Sequence, residues 1–402
     1  MSIPRYEDRV DVTRMRKERV EKARNQMKED GIGAYLCFLQ ENIKYITDTY
    51  THMMAPIITK FAIFPRNGDP MLFEDGLHYE KVKEESPWLK GNVFPGYNLR
   101  FYLTEGIRPQ EFFTDLKKIL GEHDLLNEPL GLDVPISTIA FPDMLKEEGL
   151  KVVDGNTSIL KARIIKTHDE IECWKHSHTI CEEIFNAIRE AIRPGIRELD
   201  IQAIASRITH ERDCDGTVEA VVCSGPNGVP NGLAWTNRRM KMGDMVFVDL
   251  PGVAWRGYRS CVYRCFICGR ASQKQKEIYA EARELLYSAA RLLVPGNTTA
   301  DVCDGWPGPE HWGGKTWRDI SECAIGHGQG VDTQEYPAIT PLTAYDNPVT
   351  IQENMCLALE TYFASYTPPV VGARVENGFV VTKEGSERVS LFPDYEPTEC
   401  WV

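Results

Sequence analysis

Three acidic residues and one histidine stand at positions where a purely structural role is hard to justify. Asp249 ends the apolar run Met245–Val248, and Glu360 ends a second apolar run in the same way. Glu376 and His327 each lie in a glycine-flanked segment, where the backbone can approach a ligand closely. A carboxylate inside an apolar strand must be paired, hydrogen-bonded or bound to a metal. The four residues together therefore predict a metal or acid–base site.

The elements that must position these side chains are short apolar strands in the second half of the chain. A long helix is predicted from Lys166, with apolar side chains at steps of three and four, and Pro194 and Gly195 end it. A second helix follows over residues 199–212. The order of strands and helices then predicts an α+β domain with an antiparallel sheet over residues 161–402. The predicted strands are Glu219–Gly225, Met245–Leu250, Cys261–Gly269, Met355–Glu360, Gly378–Thr382 and Val389–Phe392.

The first half of the chain alternates helices with strands, which predicts a separate α/β domain over residues 1–160. Asp11 is a suitable N-cap for the first helix and Gly31 a suitable stop. The turn residues 66–70 separate two apolar runs, as in a hairpin. The predicted helices are Asp11–Glu29, Pro109–Leu120 and Ile136–Glu147, and the predicted strands are Ala34–Phe38, Phe61–Phe64, Met71–Phe73, Leu130–Val134 and Lys151–Val153.

The composition argues against two kinds of partner and indicates a cellular compartment. The net charge is −13 and the pI about 5.3, which argues against nucleic acid or an anionic membrane as partner. No run of about 18 uncharged apolar residues is present, and the first residues lack the apolar segment of a signal peptide. Twelve cysteines without a secretory signal indicate reduced thiols. We expect a cytoplasmic protein that acts on a small molecule.

An ordered set of motifs resembles the creatinase, prolidase and methionine aminopeptidase superfamily (M24-like). The resemblance covers the C-terminal half from about Lys166 and is weaker in the N-terminal half. It implies an α/β N-terminal domain of creatinase type, an α+β pita-bread domain with a curved antiparallel sheet, and a homodimer. The segments that carry it are Gly225–Asn227, Gly243–Asp249, Gly257–Arg264, Gly326–Pro337, Asn354–Glu360 and Gly372–Gly385.

The resemblance also implies a ligand set. Metal-dependent members hold two divalent ions with two Asp, one His and two Glu residues, and here Asp249, His327, Glu360 and Glu376 match four of these five ligands. Cys261 stands where the fifth, a bridging Asp, is expected.

A thiol in that position implies at most one transition-metal ion per subunit, of Mn, Fe, Co or Zn, with no bridging role for Cys261. A metal-free site like that of creatinase is the alternative. Asn231 and Gln334 stand at two positions where the peptidases have histidines that help to position the substrate.

The resemblance and its departures suggest an enzyme. The first hypothesis is a creatinase- or aminopeptidase P-like hydrolase that cleaves a C–N bond in a small polar amide, amidino or N-acyl amino acid compound. Glu360 would act as general base, His327 as metal ligand or proton donor, and Asn231 and Gln334 as further catalytic-site residues. The second is a metal-dependent β-elimination lyase similar to dimethylsulfoniopropionate lyases, and the third is a binding module without activity.

Overall fold

The structure, a computed structural model, describes residues 9–49, 60–133, 140–229, 232 and 234–402. The chain forms two compact units, Asp11–Arg163 and Ile164–Val402, and residues 9 and 10 belong with the second. None of the helices in these described ranges combines the length and the apolar character needed to cross a bilayer.

The first unit is built on a six-stranded mixed sheet in the order β4-β3-β2-β1-β5-β6. The central strand β1 pairs antiparallel with β2 and parallel with β5, and all four of its residues are buried. The elements are α1 Val12–Glu29, β1 Ala34–Cys37, α2 Gln40–Thr47, β2 Phe61–Pro65, β3 Met71–Glu74, α3 Tyr79–Glu85, β4 Val93–Pro95, α4 Leu99–Thr104, α5 Gln110–Glu122, β5 Pro129–Asp133, α6 Ala140–Glu147, β6 Lys151–Asp154 and α7 Asn156–Ile164.

Local sequence explains where these elements begin. The Asp11 side chain accepts a hydrogen bond from the Arg14 backbone N–H and caps α1, as the sequence predicted. Helix α6 is described from Ala140, so the predicted start of this helix at Ile136 lies outside the described residues.

The second unit contains two larger sheets, in the orders β17-β11-β8-β7 and β13-β12-β14-β15-β16. Every pairing in the five-stranded sheet is antiparallel, and the four-stranded sheet has one parallel pair, β11 with β17. The elements are α8 His168–Ala191, α9 Glu198–Glu211, β7 Val221–Ser224, β8 Met245–Asp249, β9 Ala254–Trp255, β10 Tyr258–Arg259, β11 Tyr263–Cys268, α10 Gln273–Ala290, α11 Thr299–Cys303, β12 Ala324–Gly328, β13 Glu335–Ile339, β14 Cys356–Ser365, β15 Val371–Val381, β16 Ser386–Arg388 and β17 Thr398–Cys400.

Helix α10 determines which face of the five-stranded sheet becomes core. Ile278 and Leu286 of α10 belong to one buried apolar cluster with Leu357, Leu359 and Val375 of the sheet. Side chains alternate between the two faces of a strand, so the even-numbered residues of β14 and β15 lie on the opposite face. That face is therefore available for polar chemistry.

One strand prediction is wrong. Residues Val389–Phe392 form no strand, and the strand in this region is β16, which ends at Arg388. The Val389 N–H still donates to the Gly378 carbonyl of β15 at 2.8 Å, but beyond it the carbonyls bond to a side chain. Those of Ser390 and Phe392 accept from Arg264 Nη2 at 3.3 and 2.9 Å. Ser390 and Phe392 of the segment are buried and Leu391 is exposed, a pattern that a single sequence does not separate from strand pairing.

Candidate functional site

Strand register places three of the predicted site residues on one face of the five-stranded sheet. Glu360 of β14 lies directly opposite Glu376 of β15. Strand β12 pairs with β14 so that Ile325 is opposite Glu360, and His327, two residues further along, points to the same face. Asp249 is contributed by the other sheet, as the last residue of β8.

The histidine is oriented for coordination through one defined nitrogen. His327 Nδ1 lies 2.9 Å from the Gly328 carbonyl oxygen, which can only accept, so Nδ1 carries the proton. The lone pair is then on Nε2, which lies 3.8 Å from Glu360 Oε1 and 3.8 Å from Glu376 Oε1. A neutral imidazole held by such a contact is the usual form of a metal-binding histidine.

Cys261 joins this group from the segment just before β11. Its thiol is buried and donates to Asp249 Oδ1 over 3.8 Å. Donor atoms of Cys261, His327 and Glu376 all lie within 4.8 Å of one another. The structure thus brings together the four matched residues and the cysteine at the departing position. We call these five residues the central cluster.

Two residues that the sequence analysis did not single out complete the surroundings of Glu360. The hydroxyl of Tyr263 donates to Glu360 Oε2, and Arg374 Nη2 lies 3.2 Å from the same oxygen. The Arg374 guanidinium lies over the ring of Tyr263, 4.7 Å from its centroid. A signal for both was available, because Tyr263 is two residues from Cys261 and Arg374 two residues from Glu376. Positions separated by two share a strand face.

The central cluster contains buried polar atoms that have no hydrogen-bond partner in the described part of the chain. Among the described residues, His327 Nε2 and both carboxylate oxygens of Glu376 are buried without a hydrogen-bond partner. Such atoms are rare in native proteins and call for a ligand. Two donors on one tetrahedral ion, each at about 2.0–2.3 Å, are about 3.3–3.8 Å apart. The residues present therefore fit a divalent metal ion.

Burial shifts the protonation equilibria of the cluster towards neutral forms. It raises the pKa of Glu360 to about 7, against the opposing effect of the Arg374 cation. Burial, followed by neighbouring negative charge, raises the pKa of the Glu376 carboxyl and of the Cys261 thiol well above their usual values. Burial lowers the pKa of His327. Several acidic groups share one guanidinium, so an additional cation would stabilise their ionised forms.

Two predicted site residues remain, and the structure describes one of them. Gln334 is exposed just before β13, next to Glu335, whose buried carboxylate lies 3.0 Å from Lys166 Nζ. Asn231 lies outside the described residues. The catalytic roles assigned to both from the family pattern remain predictions.

A chain of buried polar side chains holds the backbone of Cys261. Gln329 Nε2 donates to the Cys261 carbonyl at 3.2 Å, and Gln329 Oε1 accepts from Trp174 Nε1 at 3.0 Å. His178 Nε2 lies 3.3 Å from the same Gln329 oxygen, and its Nδ1 lies 3.2 Å from Ser390 Oγ. His178 is buried and takes part in this chain as a hydrogen-bonding group.

A cavity of about 460 Å³ adjoins the cluster through Arg374, which lines it. Tyr362 and Trp312 contribute aromatic surface to its wall. Tyr362 lies opposite Arg374 in the β14–β15 ladder, two residues beyond the Glu360–Glu376 pair. The cavity thus lies next to the Glu360–Glu376 pair along this ladder.

Comparisons with known proteins agree with this architecture. Residues 172–383 match metallopeptidase family M24, and residues 19–165 match the creatinase/prolidase N-terminal domain. The Xaa-Pro dipeptidase of Pyrococcus furiosus is 26% identical over 382 residues, covering 93% of this chain and 98% of that protein. The Xaa-Pro dipeptidase of Lactobacillus helveticus is 28% identical over 385 residues, covering 89% and 95%.

Solved structures share the fold along nearly the whole chain. The prolidase from Pyrococcus horikoshii OT3 superposes with a TM-score of 0.72 at 23% identity, covering 94% of this chain and 99% of that one. A recombinant prolidase from Thermococcus sibiricus gives 0.75 at 21% identity, covering 96% and 99%.

These matches confirm the predicted superfamily, the fold class of an α/β domain followed by a pita-bread domain, and the enzyme class, a hydrolase related to creatinase and aminopeptidase P. The chain belongs to metallopeptidase family M24.

Proposed function

We propose that this protein hydrolyses a C–N bond in a small polar amide, amidino or N-acyl amino acid compound. The observation that carries the proposal is the central cluster itself, in which His327 Nε2 and the Glu376 oxygens have no hydrogen-bond partner among the described residues and lie beside an oriented Glu360. Its relatives named Xaa-Pro dipeptidase act on an amide-type C–N bond. Cys261 and Gln334 replace family residues, which supports a substrate other than the Xaa-Pro peptides of those relatives.

Glu360 is placed to move the proton of the attacking water. Tyr263 and Arg374 hold Oε2, so Oε1 has a fixed direction towards His327. In hydrolysis, Oε1 accepts a proton from water, the hydroxide adds to the carbonyl or amidine carbon, and the C–N bond breaks. Glu360 then returns the proton to the leaving nitrogen.

The metal ligands in this proposal are Asp249, His327, Glu360 and Glu376, around one divalent ion of Mn, Fe, Co or Zn. A bound ion would polarise the carbonyl group and lower the pKa of a water at the site. The cavity of about 460 Å³ beside Arg374 has the size of a small-molecule site, and its guanidinium and aromatic wall suit a polar substrate with a planar group.

The test is a hydrolysis assay with three substrate sets: N-acyl amino acids, amidino compounds and Xaa-Pro dipeptides. Mass spectrometry of both products should show release of the free nitrogen compound, with the two acyl or amidino sets preferred. Glu360→Gln should reduce kcat by about 10²–10⁴-fold, whereas Glu387→Gln, an exposed glutamate of β16, should leave it unchanged. Failure of all three sets to release the nitrogen compound would contradict the proposal, and an unsaturated product would point to elimination instead.

Removal of metal with a chelator distinguishes a metal-dependent reaction from a metal-free, creatinase-like one. We expect activity to fall on removal of metal and to return on addition of one ion per chain. Full activity in metal-free protein, verified by elemental analysis, would favour the acid–base alternative.

A cytoplasmic location and a homodimer belong to the same proposal. The structure contains twelve free cysteines, ten of them buried, which suits a reducing compartment. Light scattering at micromolar concentration tests the dimer, because a monomer would contradict it.

A further inference from the structure

Cys261 is the feature in which this chain departs most sharply from the ligand pattern of its family, and its surroundings differ from those of the neighbouring cysteines. The Cys265 thiol donates to the Arg374 carbonyl at 3.3 Å, and the Cys223 thiol donates to the Ala234 carbonyl at 3.6 Å. Backbone carbonyls of this kind are ordinary partners of structural thiols. The Cys261 thiol instead faces carboxylates and an imidazole.

We propose that the Cys261 thiolate is a direct ligand of one borderline-soft divalent ion, of the Zn²⁺ type, together with His327 Nε2 and the carboxylate of Glu376. The inference rests on the metal site of the proposed function and changes its ligand set, since Cys261 binds the ion in place of Asp249. It concerns metal binding alone. Metal binding by Cys261 can therefore be tested without the hydrolytic reaction.

The geometry favours these three donors. They lie within 4.8 Å of one another, and the His327 Nε2–Glu376 Oε1 distance of 3.8 Å already equals the upper spacing expected around one tetrahedral ion. The two oxygens of Glu376 and the nitrogen have no competing hydrogen-bond partner among the described residues. Glu360 Oε1, 3.8 Å from the same nitrogen, is the nearest candidate for a fourth ligand.

The donor chemistry selects among metals. A sulfur, nitrogen and oxygen set suits Zn²⁺ or Co²⁺, whereas Mn²⁺ prefers oxygen ligands throughout. Charge also balances, because one thiolate and one carboxylate neutralise the ion while Arg374 pairs with Glu360. The thiol proton leaves as the metal–sulfur bond forms, with Asp249 Oδ1 as its first acceptor on the way to solvent.

The protein also fixes the position of the sulfur. The Cys261 carbonyl accepts a hydrogen bond from Gln329 Nε2, and Gln329 is held in turn by Trp174 and His178. The residue is 3% exposed. A ligand held by buried outer contacts loses little freedom on binding, as in established metal sites.

The test uses metal-free protein titrated with Co²⁺ and followed by absorption spectroscopy. A thiolate-to-cobalt charge-transfer band should appear in the wild type and in Cys223→Ser, a matched control because Cys223 packs in the same apolar cluster as Cys261. The band should be absent from Cys261→Ser. Zn²⁺ affinity, measured by competition with a chelator, should fall at least about 100-fold in Cys261→Ser, since even outer-shell partners contribute 10–100-fold.

X-ray absorption on the zinc-loaded wild type supplies a readout that needs no variant. A sulfur neighbour at about 2.3 Å is expected. A wild-type cobalt spectrum without the thiolate band, or a zinc shell of nitrogen and oxygen alone, would overturn the assignment, as would the absence of any Zn²⁺ binding. If the sulfur is bound but no substrate is hydrolysed, the proposed function fails and this inference stands.

Discussion

Glu360 and Glu376 face each other across the β14–β15 ladder, yet their carboxylates have opposite surroundings. The hydroxyl of Tyr263 donates to Glu360 Oε2, and Arg374 Nη2 lies 3.2 Å from that oxygen. In the part of the chain that the structure describes, neither oxygen of Glu376 has a hydrogen-bond partner. The protein therefore orients one carboxylate, as the proposed general base requires, and leaves the other available to the proposed metal ion.

Tyr263→Phe should impair catalysis without loss of metal. The change removes the donor that fixes Glu360 Oε2 while keeping the ring on which Arg374 lies. We expect kcat to fall by about 100-fold, the order of effect produced by a misplacement of about 1 Å. Steady-state kinetics and elemental analysis on the same sample provide the measurement.

Tyr345→Phe is the control for this variant. Tyr345 is half exposed and its hydroxyl donates to Asp304 at 2.9 Å, so its loss should leave kcat unchanged. Equal kinetics in the wild type and Tyr263→Phe would show that Glu360 needs no such support.

Cys261→Asp should raise metal binding from one ion per chain towards two. An aspartate supplies the carboxylate that the family resemblance implies as a bridge between two ions, and its hard oxygens shift the preference from Zn²⁺ towards Mn²⁺. The native reaction should weaken, because Asp249, His327 and Glu376 are arranged around the thiol. Inductively coupled plasma mass spectrometry gives the stoichiometry. A wild type that already holds two ions with sulfur between them would contradict this account.

His178→Gln should reduce the pH dependence of stability on the acid side. Burial lowers the pKa of His178 to about 3, below the usual 6.5. The unfolded chain then binds the proton more readily, so stability is full above about pH 6.5 and is lost as the pH falls towards 3. The loss in the free energy of unfolding from this one group is about 5 kcal/mol at most. Scanning calorimetry at pH 7 and pH 4 should show a smaller loss of Tm in the variant.

His210→Gln serves as the comparison, since His210 is exposed on α9. It should lose as much Tm between pH 7 and pH 4 as the wild type. Identical losses in His178→Gln and the wild type would mean that the buried imidazole is not titrating with unfolding.

The sequence predicted the parts of this protein that depend on chain order. Asp11 as a helix cap, the apolar run that ends at Asp249 and the succession of the two kinds of domain all follow from local patterns. The spacing of two residues from Cys261 and Glu376 marks Tyr263 and Arg374 as neighbours of the site, but their meeting with Glu360 depends on register between strands that are distant in sequence. Gln329 was missed for the same reason.

The role of Cys261, which departs from the family pattern, could not be predicted from the sequence either. A sequence shows that a cysteine replaces a ligand, but it does not show where the sulfur points. The direction of the Cys261 thiol towards Asp249, and its distance from His327 and Glu376, became visible only with the packed β8–β11 pair.

Anomalous diffraction from crystals of the wild-type protein, recorded at the Mn, Fe, Co and Zn absorption edges, tests the central claim most directly. The account predicts one peak per chain, at the zinc edge, within ligand distance of Cys261 Sγ, His327 Nε2 and a Glu376 oxygen. Fully loaded crystals with no peak at the cluster, or with two peaks on either side of the sulfur, would contradict it.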